Sequence, residues 1–133
     1  LESLFEEVAV RMALPQPTGD SLSDILLQRE HLSSTGISNG IAIPHSKTPL
    51  GKQISQSMVA TFFLEKPMDF NAPDRLPVFV LFVLLSVDSF HHLLLLSQLA
   101  RILSQPQMND FLKNSPSSKN LIEQFQKALA ETA

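Results

Sequence analysis

Apolar positions in residues 2–14 fall at helical spacing. Leu4, Phe5, Val8 and Met12 line one side and charged residues the other, so the first element reads as an amphipathic helix. Pro15-Gln16-Pro17-Thr18-Gly19 follows as a breaker loop. Asp20 or Ser21 can then cap a second helix, with Asp24 in its first turn. The apolar stripe of that helix is Leu22, Ile25 and Leu26, and Arg29 lies on the same stripe three residues later. An arginine beside a buried face must find an anion or carry a desolvation cost. Gly36 to Gly40 reads as a loop and Ile41 to Ile43 as a short apolar strand. Ser46 to Gln56 is a polar connection with Pro49 and Gly51 inside it. Ser57 to Leu64, rich in Val, Thr and Phe, reads as a strand, and Pro67 to Asp74 as a turn region. Val78 to Leu85 is almost continuously apolar, the pattern of a central strand covered on both faces. Asp88 or Ser89 can cap a helix running to about Leu103. Pro106 can open a short helix to about Lys113. Residues 117–131 form a last amphipathic helix, with Leu121, Ile122, Phe125, Ala128 and Leu129 as its apolar face.

Two helices therefore precede and three follow a group of strands, which implies an α/β fold: a mixed β-sheet flanked by helices in a single-domain sandwich. The 133 residues suit one domain spanning 1–133 with a sizeable core. There is no internal repeat and no low-complexity segment. The chain opens on Leu1 inside the first helical pattern and has no initiator Met. The expectation is that residues precede it, with a lost leader or a further domain left open.

Composition narrows the function. A formal charge of −3 supplies no basic field for nucleic acid, and no run of Lys and Arg marks a membrane surface. The longest apolar stretch, Pro77 to Val87, is far short of the roughly 20 residues that span a bilayer. The absence of cysteine removes disulfides, thiolate metal sites and cysteine nucleophiles together, and it fits a reducing compartment; the expected location is cytoplasmic.

The chemistry concentrates at the end of the short strand. Pro44 has no backbone N–H, so pairing should stop there. The next residue, His45, then stands at the rim of the sheet, packed on one side and open to water on the other. Neutral imidazole is a good nucleophile and acid–base group near neutral pH. His92 falls in the first turn of the helix after the central strand, where free backbone N–H groups attract anions and the helix dipole disfavours an imidazolium. Arg29 adds a fixed positive charge suited to a phosphoryl group. A neutral nucleophilic imidazole beside anion-binding groups suits phosphoryl transfer, which needs positioning and charge stabilisation more than covalent machinery.

The segment Arg29-Glu30-His31-Leu32-Ser33-Ser34-Thr35-Gly36-Ile37-Ser38-Asn39-Gly40-Ile41-Ala42-Ile43-Pro44-His45 resembles the active-site signature of enzyme IIA domains of the bacterial phosphotransferase system, of the mannitol, fructose and nitrogen-regulatory class. His92-Leu93-Leu94-Leu95-Leu96-Ser97-Gln98-Leu99-Ala100 resembles that family's second histidine motif, and Pro67 to Asp74 with Pro77 is also similar to it. The resemblance covers residues 1 to 131. It implies a fold of the mannitol/fructose-type enzyme IIA kind. It further implies that His45 takes a phosphoryl group from the phosphocarrier HPr or a paralogue, with His92 and Arg29 in support. The group would then pass to an enzyme IIB domain or serve as a regulatory mark. Glu30 and Thr35 come over only as supporting groups behind the site. No metal and no small-molecule cofactor is implied. Two positions depart from the pattern: Ser46 stands where Gly or another small residue is usual, and Ser38 replaces a common Gly. Ser46 could hydrogen-bond the phosphoryl group or slow its transfer.

Blander readings stand beside these. His91 should point to solvent and His31 belongs to the surface. Ser33 and Ser34 are loop residues, and Arg29 could simply pair with a carboxylate at the helix end. The Phe and Leu runs are core, with part of Phe62, Phe63 or Phe90 available as an apolar docking rim around His45. The competing function is a non-enzymatic binding module that retains the fold within a larger protein. A metal-dependent hydrolase using His45, His92 and an Asp ranks below both, because no ligand spacing such as HExxH is present. Within the phosphocarrier reading, the lack of a IIB or membrane IIC domain in this chain favours a stand-alone or regulatory role over sugar uptake.

Overall fold

The computed structural model describes residues 1–14 and 21–132; the breaker loop Pro15 to Gly19, and Asp20 as a cap, lie outside the described residues. Helix α1 (Glu2–Met12) buries Phe5 and Val8. Helix α2 (Leu22–Leu32) begins at Ser21, whose hydroxyl accepts from the Asp24 backbone N–H at 3.3 Å. That contact satisfies one of the donors every helix start leaves unpaired. The strands are β1 (Gly36–Ser38), β2 (Ile41–Ala42), β3 (Met58–Met68) and β4 (Val78–Leu85), followed by α3 (Ser89–Leu103), α4 (Pro106–Lys113) and α5 (Ser118–Thr132).

The sheet has the order β1-β2-β4-β3. It is mixed: β2 runs parallel to β4, whereas β1–β2 and β3–β4 are antiparallel. The almost unbroken apolar run of β4 is explained by its place between β2 and β3 and between two helical layers. Leu81, Val83 and Leu85 pack with Phe5, Val8, Leu22 and Leu26 of the first two helices. The alternate residues Val80, Phe82 and Leu84 pack with Leu99, Ile102, Met108 and Ala128 of the last three. The two-residue period of a strand thus divides the core into two halves. Among the described residues no helix is long and apolar enough to cross a membrane.

Two elements differ from the sequence reading. Gly36 to Gly40 is not simply a loop. Gly36–Ser38 forms β1, with Ser38 paired to Ile41, and the two residues between them turn the chain. Asn39 (φ 56°) and Gly40 (φ 83°) both have positive φ, as a primed hairpin turn requires. A Cβ on Gly40 would meet the Phe79 ring at 2.6 Å. The turn is tied down by Asn39 N–H donating to Asp74 at 2.8 Å and by the Asn109 side-chain amide donating to the Asn39 carbonyl at 2.8 Å. Strand β3 also continues past Leu64 into the expected turn region. Its register moves from Phe63 opposite Val80 to Met68 opposite Val78, so a large bulge absorbs the residues between. Pro67 is tolerated there because an edge strand has no ladder partner on its outer side.

Candidate active site

The site forms where β2 runs out beside β4. Pro44 removes an N–H, yet pairing does not stop at it as the sequence reading expected. Its carbonyl accepts from Leu84 N–H at 2.9 Å, and His45 makes an isolated parallel bridge to Leu84. Proline lacks only the donor, so the acceptor side of the ladder continues one residue further. This holds the His45 backbone against the central strand. The side chain is only 8 % exposed, more enclosed than a half-open rim.

The hydrogen bonds fix its protonation. His45 Nδ1 lies 2.7 Å from the Ile43 carbonyl oxygen, which can only accept, so Nδ1 carries a proton and donates. Arg29 Nε donates to His45 Nε2 at 3.2 Å, so Nε2 presents a lone pair. The imidazole is therefore the neutral Nδ1–H tautomer, with Nε2 as its nucleophilic nitrogen. Burial pushes the His45 pKa below its ordinary value, and the positive charges of Arg29 and of a protonated His92 push the same way; the Ile43 hydrogen bond opposes them.

Arg29 sits in the last turn of α2, half-buried. Its Nη1 donates to the Ser33 carbonyl at 2.7 Å, which locks the guanidinium across the helix end. Among the described residues it pairs with no carboxylate. Glu30, the next residue, faces inward and is buried. Its two carboxylate oxygens accept from Thr35 N–H at 2.7 Å and Thr35 Oγ1 at 2.6 Å. Thr35 in turn lends its carbonyl to Ile43 N–H at 3.0 Å. Glu30 thereby braces the α2–β1 connection against the strand that carries His45.

His92 enters from the start of α3, whose N-terminus is capped by Asp88 accepting from His91 N–H at 2.8 Å. Its ring centroid is 5.2 Å from that of His45, tilted by 54°. Burial, then the charge of Arg29, lowers its pKa as well. The three candidates Arg29, His45 and His92, drawn from three different elements, are thus brought to one place. His91 projects away and is exposed, its Nδ1 2.8 Å from an Asp88 carboxylate oxygen, and His31 is also exposed. Ser46 is fully buried and its hydroxyl donates to the Thr48 carbonyl, so that hydroxyl is directed back into its own loop. Phe62 and Phe63 are half-buried and pack against the two cores, opposite Leu81 and Val80 of β4. Phe90 and Leu93, on either side of His91 and His92, are 70 % and 68 % exposed.

The sequence reading missed Ser86, at the end of β4. It is fully buried, and its hydroxyl lies 3.3 Å from His92 Nδ1. Its only signal in the sequence is a polar residue closing an apolar strand six positions before the histidine. Among the described residues no group of three or more His, Cys, Asp or Glu side chains is placed to hold a metal ion.

Comparison with known proteins points the same way as this geometry. Residues 2–128 match the family "Phosphoenolpyruvate-dependent sugar phosphotransferase system, EIIA 2". A nitrogen regulatory protein of Pseudomonas aeruginosa is 36 % identical over 124 residues, covering 90 % of this chain and 79 % of that protein. The crystal structure of the nitrogen regulatory protein IIA-Ntr from Neisseria meningitidis superposes with a TM-score of 0.77 at 29 % identity, over 93 % of this chain and 85 % of that one. In fold alone, enzyme IIA for mannitol from Escherichia coli, solved in complex with phosphorylated enzyme IIB for mannitol, is similar at TM-score 0.72 and 14 % identity, over 95 % of this chain and 87 % of that one. The chain belongs to the phosphoenolpyruvate-dependent sugar phosphotransferase system EIIA 2 family, a family of phosphotransfer proteins.

Proposed function

We propose that His45 carries a phosphoryl group on Nε2, taken from an HPr-like phosphocarrier protein and passed to an enzyme IIB domain or held as a regulatory mark. The observation that supports this most is the locked tautomer: Nδ1–H is committed to the Ile43 carbonyl, and the Nε2 lone pair faces a guanidinium. The lone pair attacks phosphorus, a P–N bond forms at His45, and the donor nitrogen recovers its own lone pair as its P–N bond breaks. No proton need leave His45, because Nδ1–H is retained throughout. Arg29 now donates to the atom that phosphorus must reach, so it has to yield Nε2 and turn its donors onto the phosphoryl oxygens. That exchange stabilises the charge where it accumulates.

The exposed pair Phe90 and Leu93 beside His92 gives a partner protein apolar contact surface next to the site, and aromatic residues such as Phe are enriched in such contacts. The similarity to nitrogen regulatory proteins supports a regulatory role over sugar uptake. The complex of the Escherichia coli mannitol enzyme IIA with phosphorylated IIB supports a IIB-type acceptor. The same family reading supports a cytoplasmic location.

The test is incubation with phosphoenolpyruvate, enzyme I and HPr, followed by intact mass. One acid-labile, base-stable phosphate is expected on the parent and none on His45→Ala. An unmodified parent beside phosphorylated HPr contradicts transfer from HPr, and substitution of a paralogous donor then decides whether any transfer occurs. Failure with every donor leaves the binding module as the function.

A further inference from the structure

Ser86 is fully buried. Its carbonyl accepts from Leu50 N–H at 2.8 Å, which pins its backbone just beyond β4. Among the described residues, His92 Nδ1 is the one partner of its hydroxyl. A hydroxyl has one proton to donate and two lone pairs to accept with. If His92 held its proton on Nδ1, Ser86 would accept it and its own O–H would be left buried with no acceptor, a costly arrangement. If Nδ1 is bare, Ser86 donates and the buried donor is satisfied. The neutral ring must then carry its proton on Nε2, the nitrogen not taken up by Ser86. Burial first, and then the charge of the nearby Arg29, disfavour the doubly protonated ring, and the start of α3 acts in the same direction.

We propose that Ser86 is a positioning residue: by donating to Nδ1 it holds His92 as the Nε2–H tautomer, so that His92 donates from Nε2 to the phosphoryl group on His45. The proposal rests on the phosphocarrier reading of the site. The two histidines then have opposite tautomers 5.2 Å apart. His45 offers a lone pair to phosphorus and His92 offers a proton to oxygen. Ser86 never touches the reacting atoms and works only through His92.

The test is long-range ¹⁵N–¹H NMR of histidine-labelled, unphosphorylated protein above pH 7.5, where both rings are neutral, on the parent, Ser86→Ala and Ser86→Thr. The parent is expected to show His92 Nδ1 as a bare, pyridine-type nitrogen and Nε2 as a protonated, pyrrole-type one. Ser86→Ala is expected to show a mixture of tautomers and to accept phosphate about two- to ten-fold more slowly, the rate equivalent of one neutral hydrogen bond. Ser86→Thr restores the hydroxyl and is expected to restore both readings. A parent protonated at Nδ1, or a Ser86→Ala variant with the parent's nitrogen shifts and rate, overturns the proposal. A parent with the expected shifts that accepts no phosphoryl group contradicts the phosphocarrier reading, and the positioning role with it, while the tautomer assignment stands.

Discussion

His45 combines burial, a committed Nδ1–H and an adjacent guanidinium, and each acts on its proton. Its pKa is lowered in the fold, first by burial and then by the charges of Arg29 and His92, from an ordinary value of 6.5 that the unfolded chain retains. Below that value the unfolded state binds more protons than the folded one. Folding stability should therefore fall as pH drops below about 6.5 and level off once the folded-state pKa has been passed. Urea unfolding between pH 8 and pH 5 checks this: His45→Gln, which cannot titrate, should lose less stability on acidification than the parent. An equal loss would show that His45 is not the group responsible. The candidacy of Arg29, His45 and His92 was legible in the sequence, because a proline-terminated strand, a helix start and an arginine on an apolar stripe are each local patterns; that the three meet is what the fold adds. What remained hidden was which nitrogen of each ring is bare. That depends on the Ile43 carbonyl and on Ser86, whose contact with His92 no period of the sequence announces.

At the scale of elements, the connection from α2 to β1 is set by one carboxylate. Glu30 takes both Thr35 hydrogen bonds, and Thr35 passes the constraint to Ile43. Thr35→Val keeps the shape but leaves one buried carboxylate oxygen without its hydroxyl donor, which should cost about 1–3 kcal/mol in urea denaturation. It should also slow phosphoryl acceptance, because the strand carrying His45 is then less firmly braced. Unchanged stability would show that Glu30 is satisfied by other means. The helices were readable from caps and apolar periods: Pro106 opens α4 and Asp88 caps α3 where expected. β1 was not, because three residues are too short to show a period. The usable signal was Asn39-Gly40, a dipeptide whose tolerance of positive φ favours a tight hairpin. The extension of β3 was hidden by Pro67, which reads as a breaker unless the strand is known to lie at an edge.

For the whole molecule, β4 does two jobs. Its alternating side chains join two half-cores, and its far end supplies Leu84 and Ser86 to the site. Phe82 is fully buried and stacked on Phe125 of α5 at 5.6 Å. Phe82→Ala should cost about 3–5 kcal/mol by thermal or urea unfolding, and a cost below about 1 kcal/mol would contradict a core continuous through α5. The overall α/β architecture was legible because β4 is apolar without interruption and helices flank the strands on both sides in the sequence. The strand order, with β4 between β2 and β3, was not, since only tertiary pairing sets it. The measurement that bears most directly on the whole account is ¹⁵N and ³¹P NMR of the protein phosphorylated through its donor, with each histidine assigned. The expected result is a single phosphorus–nitrogen coupling at His45 Nε2, with Nδ1 still protonated. Phosphate on His45 Nδ1, on His92 or on His91 would contradict it.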